Sequence, residues 1–217
     1  MLTLQRSMKR SSIQVKPNVY QTLDYIDKPR WISLWHQINE VAATRPTSVL
    51  EVGTGNGIVS YTLRLLKIRT TTVDIDARLE PDQVGDIRKL PFKNGEFDTI
   101  LCAEVLEHIP FDDFKKALKE LYRVCRRYVV VSLPHDYLTY FWLSIKLIPF
   151  IPTKHFFITL PRNLKHKFDG QHYWEIGKKG YSLNRISYLF KRNGFSIEKN
   201  YRLTEFPYHR FFVLKKI

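Results

Sequence analysis

Cysteine is scarce in this chain. Cys102 and Cys125 are the only two among 217 residues, both in apolar surroundings, with no Cys-x-x-Cys spacing between them. That excludes a secreted disulfide framework and a thiolate zinc cage, and no metal is expected. No apolar stretch leads into a small-residue cleavage site near the N-terminus, which argues against a secretory signal and for a cytoplasmic location. Uninterrupted hydrophobic runs are missing as well. The densest one, Tyr137 to Pro161, is broken by Lys146, Pro149 and Pro152 before it reaches the roughly 20 residues a spanning helix needs. Repeats and Gly/Ser-rich linkers are absent, so one domain is expected. Acid is short too: 21 Asp/Glu stand against 35 Lys/Arg, a net charge of +14. The excess divides unevenly, +4 over residues 1–46, 0 over 47–133 and +10 over 134–217, so an anionic partner should meet the flanks and not the middle.

What is present reads as alternating strands and helices. Trp31, Leu34, Trp35, Ile38 and Val41 recur at helical spacing between Asp27 and Ala43. SVLEVG is a short apolar run ending in glycine, followed by Ile58, Tyr61, Leu65 and Leu66 on one helical face. TTTVDID, FDTILCAEVL and YVVVSLP are three more buried-strand runs, and Phe114, Ala117, Leu118, Leu121 and Val124 mark a helix between the last two. This alternation predicts a parallel sheet covered by helices. Ser182 is placed to cap a helix ending at Asn193-Gly194, and FSIEKNYRL and HRFFVLKK read as two closing strands paired with each other.

The chemistry concentrates where the first strand turns into the first core helix, at Glu51-Val-Gly53-Thr54-Gly55-Asn-Gly57. Glycines there let a ligand approach the backbone at the carboxyl end of a strand, where open α/β sheets bind. A dinucleotide fingerprint would place a small residue at position 58, which is Ile58, so the pattern is G-x-G-x-G. Asp74 ends the second strand about 20 residues on, positioned to accept both hydroxyl hydrogens of a ribose; Asp76 is the alternative. Asp86, in Gly85-Asp86-Ile87, can accept from an adenine amino group. Cys102-Ala103-Glu104 through His108 follow the fourth strand.

VLEVGTGNG, TVDID, GDIRKLPF and FDTILCAEVLEHI together resemble the motifs of the class I S-adenosylmethionine-dependent methyltransferases, most closely the type 11 group. The resemblance is clear from about Val49 to Ile109 and weaker to Leu133. It implies a Rossmann-like, seven-stranded, mostly parallel sheet with helices on both faces and the last strand antiparallel. It also implies S-adenosylmethionine as donor and S-adenosylhomocysteine as product. Carried over by position, Glu51, Gly53, Thr54, Gly55 and Gly57 would line the methionine and ribose. Asp74 and Ile75 would meet the ribose, Asp86 and Ile87 the adenine, and Cys102, Ala103 and Glu104 the methionine arm. The chain departs from the family between Asp76 and Gly85, where ARLEPDQV leaves little room for the usual second helix.

Methyl transfer from a sulfonium needs alignment of donor and acceptor above all. If the acceptor is a hydroxyl, His172, Glu175 and His108 are the candidate proton acceptors, with His135 behind them, and Arg210 can hold an anionic group. Cys102 has no preceding proline and strand-like surroundings, against a nucleophilic role. The tetrad CAEV replaces the Asn/Asp-Pro-Pro-aromatic run of exocyclic-amine methyltransferases on DNA. The expected organisation is a helical extension over 1–46, a cofactor core over 47–133, an apolar and basic insertion over 134–181 forming a lid or substrate region, and a closing helix and strand pair over 182–217. The acceptor expected is a small molecule, a lipid-linked compound or a glycan, with peripheral membrane contact through 137–161. An RNA or protein methyltransferase using the basic flanks is the alternative.

Overall fold

In the computed structural model the described residues are 13–217, apart from 147, 149, 151–153, 161 and 163. Nine strands form along them: β1 (Ser48–Val52), β2 (Arg69–Asp74), β3 (Gln83–Val84), β4 (Phe97–Ala103), β5 (Cys125–Pro134), β6 (Leu138–Ile145), β7 (Lys154–Leu160), β8 (Phe195–Arg202) and β9 (His209–Lys216). Seven of them build one sheet in the order β3-β2-β1-β4-β5-β9-β8. Parallel pairing runs from β3 through β5, and β9 is antiparallel to both of its neighbours, as the alternating pattern and the resemblance imply. The order reverses at β1, where β2 lies on one side and β4 on the other, which is where such sheets bind ligands.

Four helices cover the two faces: α1 (Lys28–Ala43), α2 (Ile58–Leu65), α3 (Phe111–Val124) and α4 (Leu183–Arg192). Strand alternation sorts the core between them. Val49, Leu101, Val130 and Phe211 pack with Leu34 and Val41 of α1 and Val59 and Leu63 of α2. Leu50, Ile100, Cys102, Val129 and Phe212 face the other way, onto Phe114 and Leu118 of α3 and Ile186 and Phe190 of α4. Asp27 caps α1 by accepting from the Arg30 backbone N–H at 2.8 Å, and Ser182 caps α4 in the same manner from Arg185.

Two expectations change. The apolar stripe expected on α1 includes Trp31 and Trp35, yet these are 54% and 57% exposed, and Ser33 and Glu40 are buried instead. Both polar residues meet partners from the far end of the chain. Ser33 Oγ lies 2.8 Å from His209 Nδ1, and Glu40 accepts from Lys199 at 2.7 Å and from the Tyr201 hydroxyl at 2.8 Å. A satisfied polar group can occupy a core position that hydrophobic periodicity does not reveal.

Secondly, the insertion after β5 contains a β-ribbon. β6 and β7 pair antiparallel in their own two-stranded sheet, with Phe141 opposite Ile158 and Leu143 opposite Phe156. Because the sequence is apolar at both odd and even positions, it carries no period-2 signal. At the base, the Asp136 N–H donates to Ile176 at 2.8 Å and the Ile176 N–H to Pro134 at 3.0 Å. Gly177 (φ +91°) sits against the Asp136 carbonyl, where a Cβ would collide. The returning chain is thereby fastened beside the end of β5. Among the described residues no helix is long and apolar enough to cross a membrane.

Candidate active site

A pocket of about 400 Å³ opens at the carboxyl ends of β1, β2 and β4. Its floor is the turn leaving β1, where Gly53, Gly55 and Gly57 all have positive φ. At Gly53 glycine is also required by space, since a Cβ would run into Val105 Cγ2. Asp74 holds this turn: Oδ2 accepts from the Thr54 N–H at 2.8 Å and Oδ1 from the Asp76 N–H at 2.9 Å. Burial raises the Asp74 carboxyl above its ordinary value, against those hydrogen bonds. Glu51, buried in β1, is pushed up to about 8 by desolvation. Its Oε2, Thr54 Oγ1 and Asn56 Nδ2 are buried with no hydrogen-bond partner among the described residues, so the pocket floor offers unpaired polar atoms.

On the β3 side, Asp86 lies in the lining with both carboxylate oxygens on Arg88 (2.5 Å at the closest), which also reaches Asp113 at 2.9 Å. Burial opposes ionisation of Asp86, but the Arg88 guanidinium holds it below the usual carboxylate value. Asp76 is committed to Arg78 at 2.7 Å. Ile75 and Ile87 supply apolar lining, and a short 3-10 helix, Ala77–Leu79, replaces the family's second helix.

Across the pocket, Glu104 follows β4 with φ +52°, a conformation costing about 1–3 kcal/mol for a non-glycine residue. The Ser132 hydroxyl holds its carboxylate at 2.8 Å, and His209 Nε2 lies 3.5 Å away. Glu107 is fully buried, with Oε1 4.0 Å from His108 Nε2 and its carboxyl interacting with that of Glu104. Desolvation raises both carboxyls, Glu107 further because Glu104 is beside it.

The returning chain and the β8–β9 connection supply the remaining wall. His172 Nδ1 is 3.0 Å from Glu175 Oε1, which also accepts from the Tyr208 hydroxyl at 2.7 Å. Burial works against the charge on His172, but the Glu175 hydrogen bond and carboxylate outweigh it and raise His172 above its ordinary value. The same bonds lower Glu175 despite its burial. His108 packs edge-on to His172 at 5.1 Å and is lowered to about 4 by burial. Its Nδ1 is 3.0 Å from Gln14 Oε1 and 3.1 Å from the Gln171 carbonyl, so it carries the proton.

The expected residues do not all reach the lining. Glu51, Gly53, Thr54, Gly55, Asp74, Ile75, Asp86, Ile87, Ala103, Glu104, His108 and His172 line the pocket. Gly57 stands just outside as the N-cap of α2, and Glu175 acts on the pocket through His172. Cys102 turns into the core on the α3 side, the alternation of β4 directing it away, and burial raises its thiol well above the ordinary value. His135 is bound by Arg210 at 2.8 Å, so neither is directed at the pocket. Sequence reading missed Gln14, Tyr20, Tyr25, Arg30 and Ser33, which line the pocket from the N-terminal segment. For Tyr20 and Tyr25 the only signal was the polar and aromatic composition of NVYQTLDYID, and Gln14, Arg30 and Ser33 lie outside that stretch. Glu107, His108 and His172 bring ligand atoms within 4.8 Å of one another, as do Asp169, His172 and Glu175, a spacing compatible with a metal ion.

This topology, with the pocket at the β1 switch point, is the Rossmann-like fold of class I methyltransferases. Residues 50–131 match the family described as a methyltransferase domain. The Dechloromonas aromatica ubiquinone biosynthesis O-methyltransferase is 30% identical over 88 residues, a match covering 34% of this chain and 38% of that protein. Among solved structures, a Pyrococcus horikoshii protein aligns over 94% of this chain and 100% of its own at TM-score 0.61 and 16% identity. The Burkholderia thailandensis 1,6-didemethyltoxoflavin-N1-methyltransferase, solved with its substrate and S-adenosylhomocysteine, aligns over 95% and 92% at TM-score 0.57 and 14% identity.

Proposed function

We propose that the protein transfers a methyl group from S-adenosylmethionine to a hydroxyl of a small, partly hydrophobic or lipid-linked acceptor. The observation that carries this reading is the glycine turn with its unpartnered buried polar atoms, facing the His172–Glu175–Tyr208 cluster across one pocket. The donor set fits the cofactor: Glu51, Thr54 and Asn56 offer polar atoms without partners, and Gly53 leaves the floor open. Bound there, S-adenosylmethionine supplies a methyl group made electrophilic by its sulfonium.

In this reading Asp74 fixes the turn and would hold the ribose, while Glu51 and Glu104 would hold the methionine arm. The carboxylate of Glu175 orients His172 through Nδ1, leaving Nε2 to take the proton from the acceptor hydroxyl as its oxygen is alkylated. The Tyr208 hydroxyl donates to the same Glu175 oxygen and lies 3.5 Å from His172 Nδ1. The N-terminal segment, through Gln14 and Tyr20, closes the pocket against water. An O-methyltransferase among the relatives supports an oxygen acceptor, and the apolar insertion beside the pocket supports a hydrophobic one.

Calorimetric titration with S-adenosylmethionine and S-adenosylhomocysteine, after removal of any co-purified nucleoside, tests the cofactor half. Micromolar binding is expected, and no binding by a folded, ligand-free sample would refute it. A screen of phenolic and lipid-linked hydroxyl acceptors tests the other half, with transfer to RNA or protein alone as the outcome that would replace it.

A further inference from the structure

The β6–β7 ribbon presents an unusual surface. Phe141, Leu143, Phe156 and Ile158 form two cross-strand pairs on one face, each 42–56% exposed. A two-stranded ribbon standing alone in water is marginally stable at best, so this one calls for a cover. Its distal connection, KLIPFIPTK, places six residues dominated by Leu, Ile, Phe and Pro between Lys146 and Thr153, with Lys154 just beyond. Phe150 in that connection is 95% exposed.

Charge indicates what the cover is. Residues 134–181 hold seven Lys/Arg against three Asp/Glu. Two of those acids are already neutralised, Asp136 by Arg162 and Lys178, and Glu175 by His172. Lys146 is exposed at the distal end, and Lys165 and Lys167 are exposed on the returning chain. Exposed Ile148 and Phe150 beside the exposed Lys146 pair an apolar surface with a cation, as an anionic membrane interface requires.

We propose that the β6–β7 ribbon docks the protein on an anionic lipid bilayer, Ile148 and Phe150 entering the interface while Lys146 meets lipid phosphates. This deepens the methyl-transfer reading and rests on it, by placing the acceptor at a membrane surface. The ribbon leaves β5 and returns into the segment carrying His172 and Glu175, so its base is continuous with the acceptor side of the pocket.

The test is co-sedimentation of the full chain with phosphatidylcholine vesicles containing or lacking phosphatidylglycerol, alongside Phe150→Asp and Lys146→Glu, with S-adenosylhomocysteine titrations on each. Wild type should bind the anionic vesicles and be released by salt. Phe150→Asp should weaken that binding at least about tenfold, the effect of withdrawing one large apolar side chain, with cofactor affinity unchanged. Vesicle binding insensitive to Phe150→Asp would overturn the proposal, as would a dimer in lipid-free solution that the substitution dissociates. Vesicle binding by a protein that cannot bind the nucleoside would leave docking standing and overturn the methyl-transfer reading alone.

Discussion

Asp74, Gly53 and His172 carry separable parts of the proposal, and substitution tests each. Asp74 accepts one backbone hydrogen bond from the glycine turn, at Thr54, and one from the segment after β2, at Asp76, so Asp74→Ala should weaken nucleoside binding about 10- to 100-fold by calorimetry. Unchanged affinity would remove Asp74 from the site. Gly53→Ala meets both the left-handed φ and Val105, and should abolish nucleoside binding while lowering thermal stability. His172→Ala should reduce kcat about 10²- to 10⁴-fold with nucleoside affinity retained. The pH profile carries the sign. A base works unprotonated, so activity should rise with pH through a His172 value displaced above the ordinary ~6.5. Glu175→Gln removes the interaction that raises it and should move that limb to lower pH as well as lowering kcat. A limb that does not move would exclude the dyad.

At the level of elements, the N-terminal segment lines the site, whereas the ribbon lies outside the lining and leads into the segment that carries His172. Gln14 ties the first to His108 through both side-chain atoms, its Nε2 donating to the His108 carbonyl at 2.9 Å. Deleting residues 1–26 should therefore weaken nucleoside binding while leaving the sheet's circular dichroism intact. Replacing residues 138–160 with a short turn should reduce acceptor use more than nucleoside binding, because the ribbon pairs with no strand of the large sheet. Equal loss of both would make it part of the core. Elements with one strong signal were legible from sequence. The strand runs β1, β2, β4 and β5 and the helices α3 and α4 fall where periodicity and capping put them. The ribbon was not, because apolar residues at both odd and even positions erase the alternation that marks a strand. The face of α1 was misjudged at Trp31 and Trp35 because the buried partners of Ser33 and Glu40 lie more than 150 residues away.

For the whole molecule, binding linkage gives the broadest test. A ligand that binds only the folded state at 100 times its Kd stabilises by about 2.7 kcal/mol, which in a chain of this size is a rise of roughly 5–11 °C in Tm. S-adenosylhomocysteine should produce that shift, and Gly53→Ala should abolish it. The sequence alone determined the order of strands and helices, the glycine turn at the end of β1, the acids after β2 and β4 and the uneven charge, since each is a local pattern of neighbouring residues. Only the tertiary structure decided that Asp86 is committed to Arg88, that Cys102 faces the core, that Gln14, Tyr20 and Arg30 join the pocket, and that Tyr208 meets Glu175 beside His172. Those contacts join residues brought together by sheet order and side-chain direction, and neither is written in the spacing of residues along the chain.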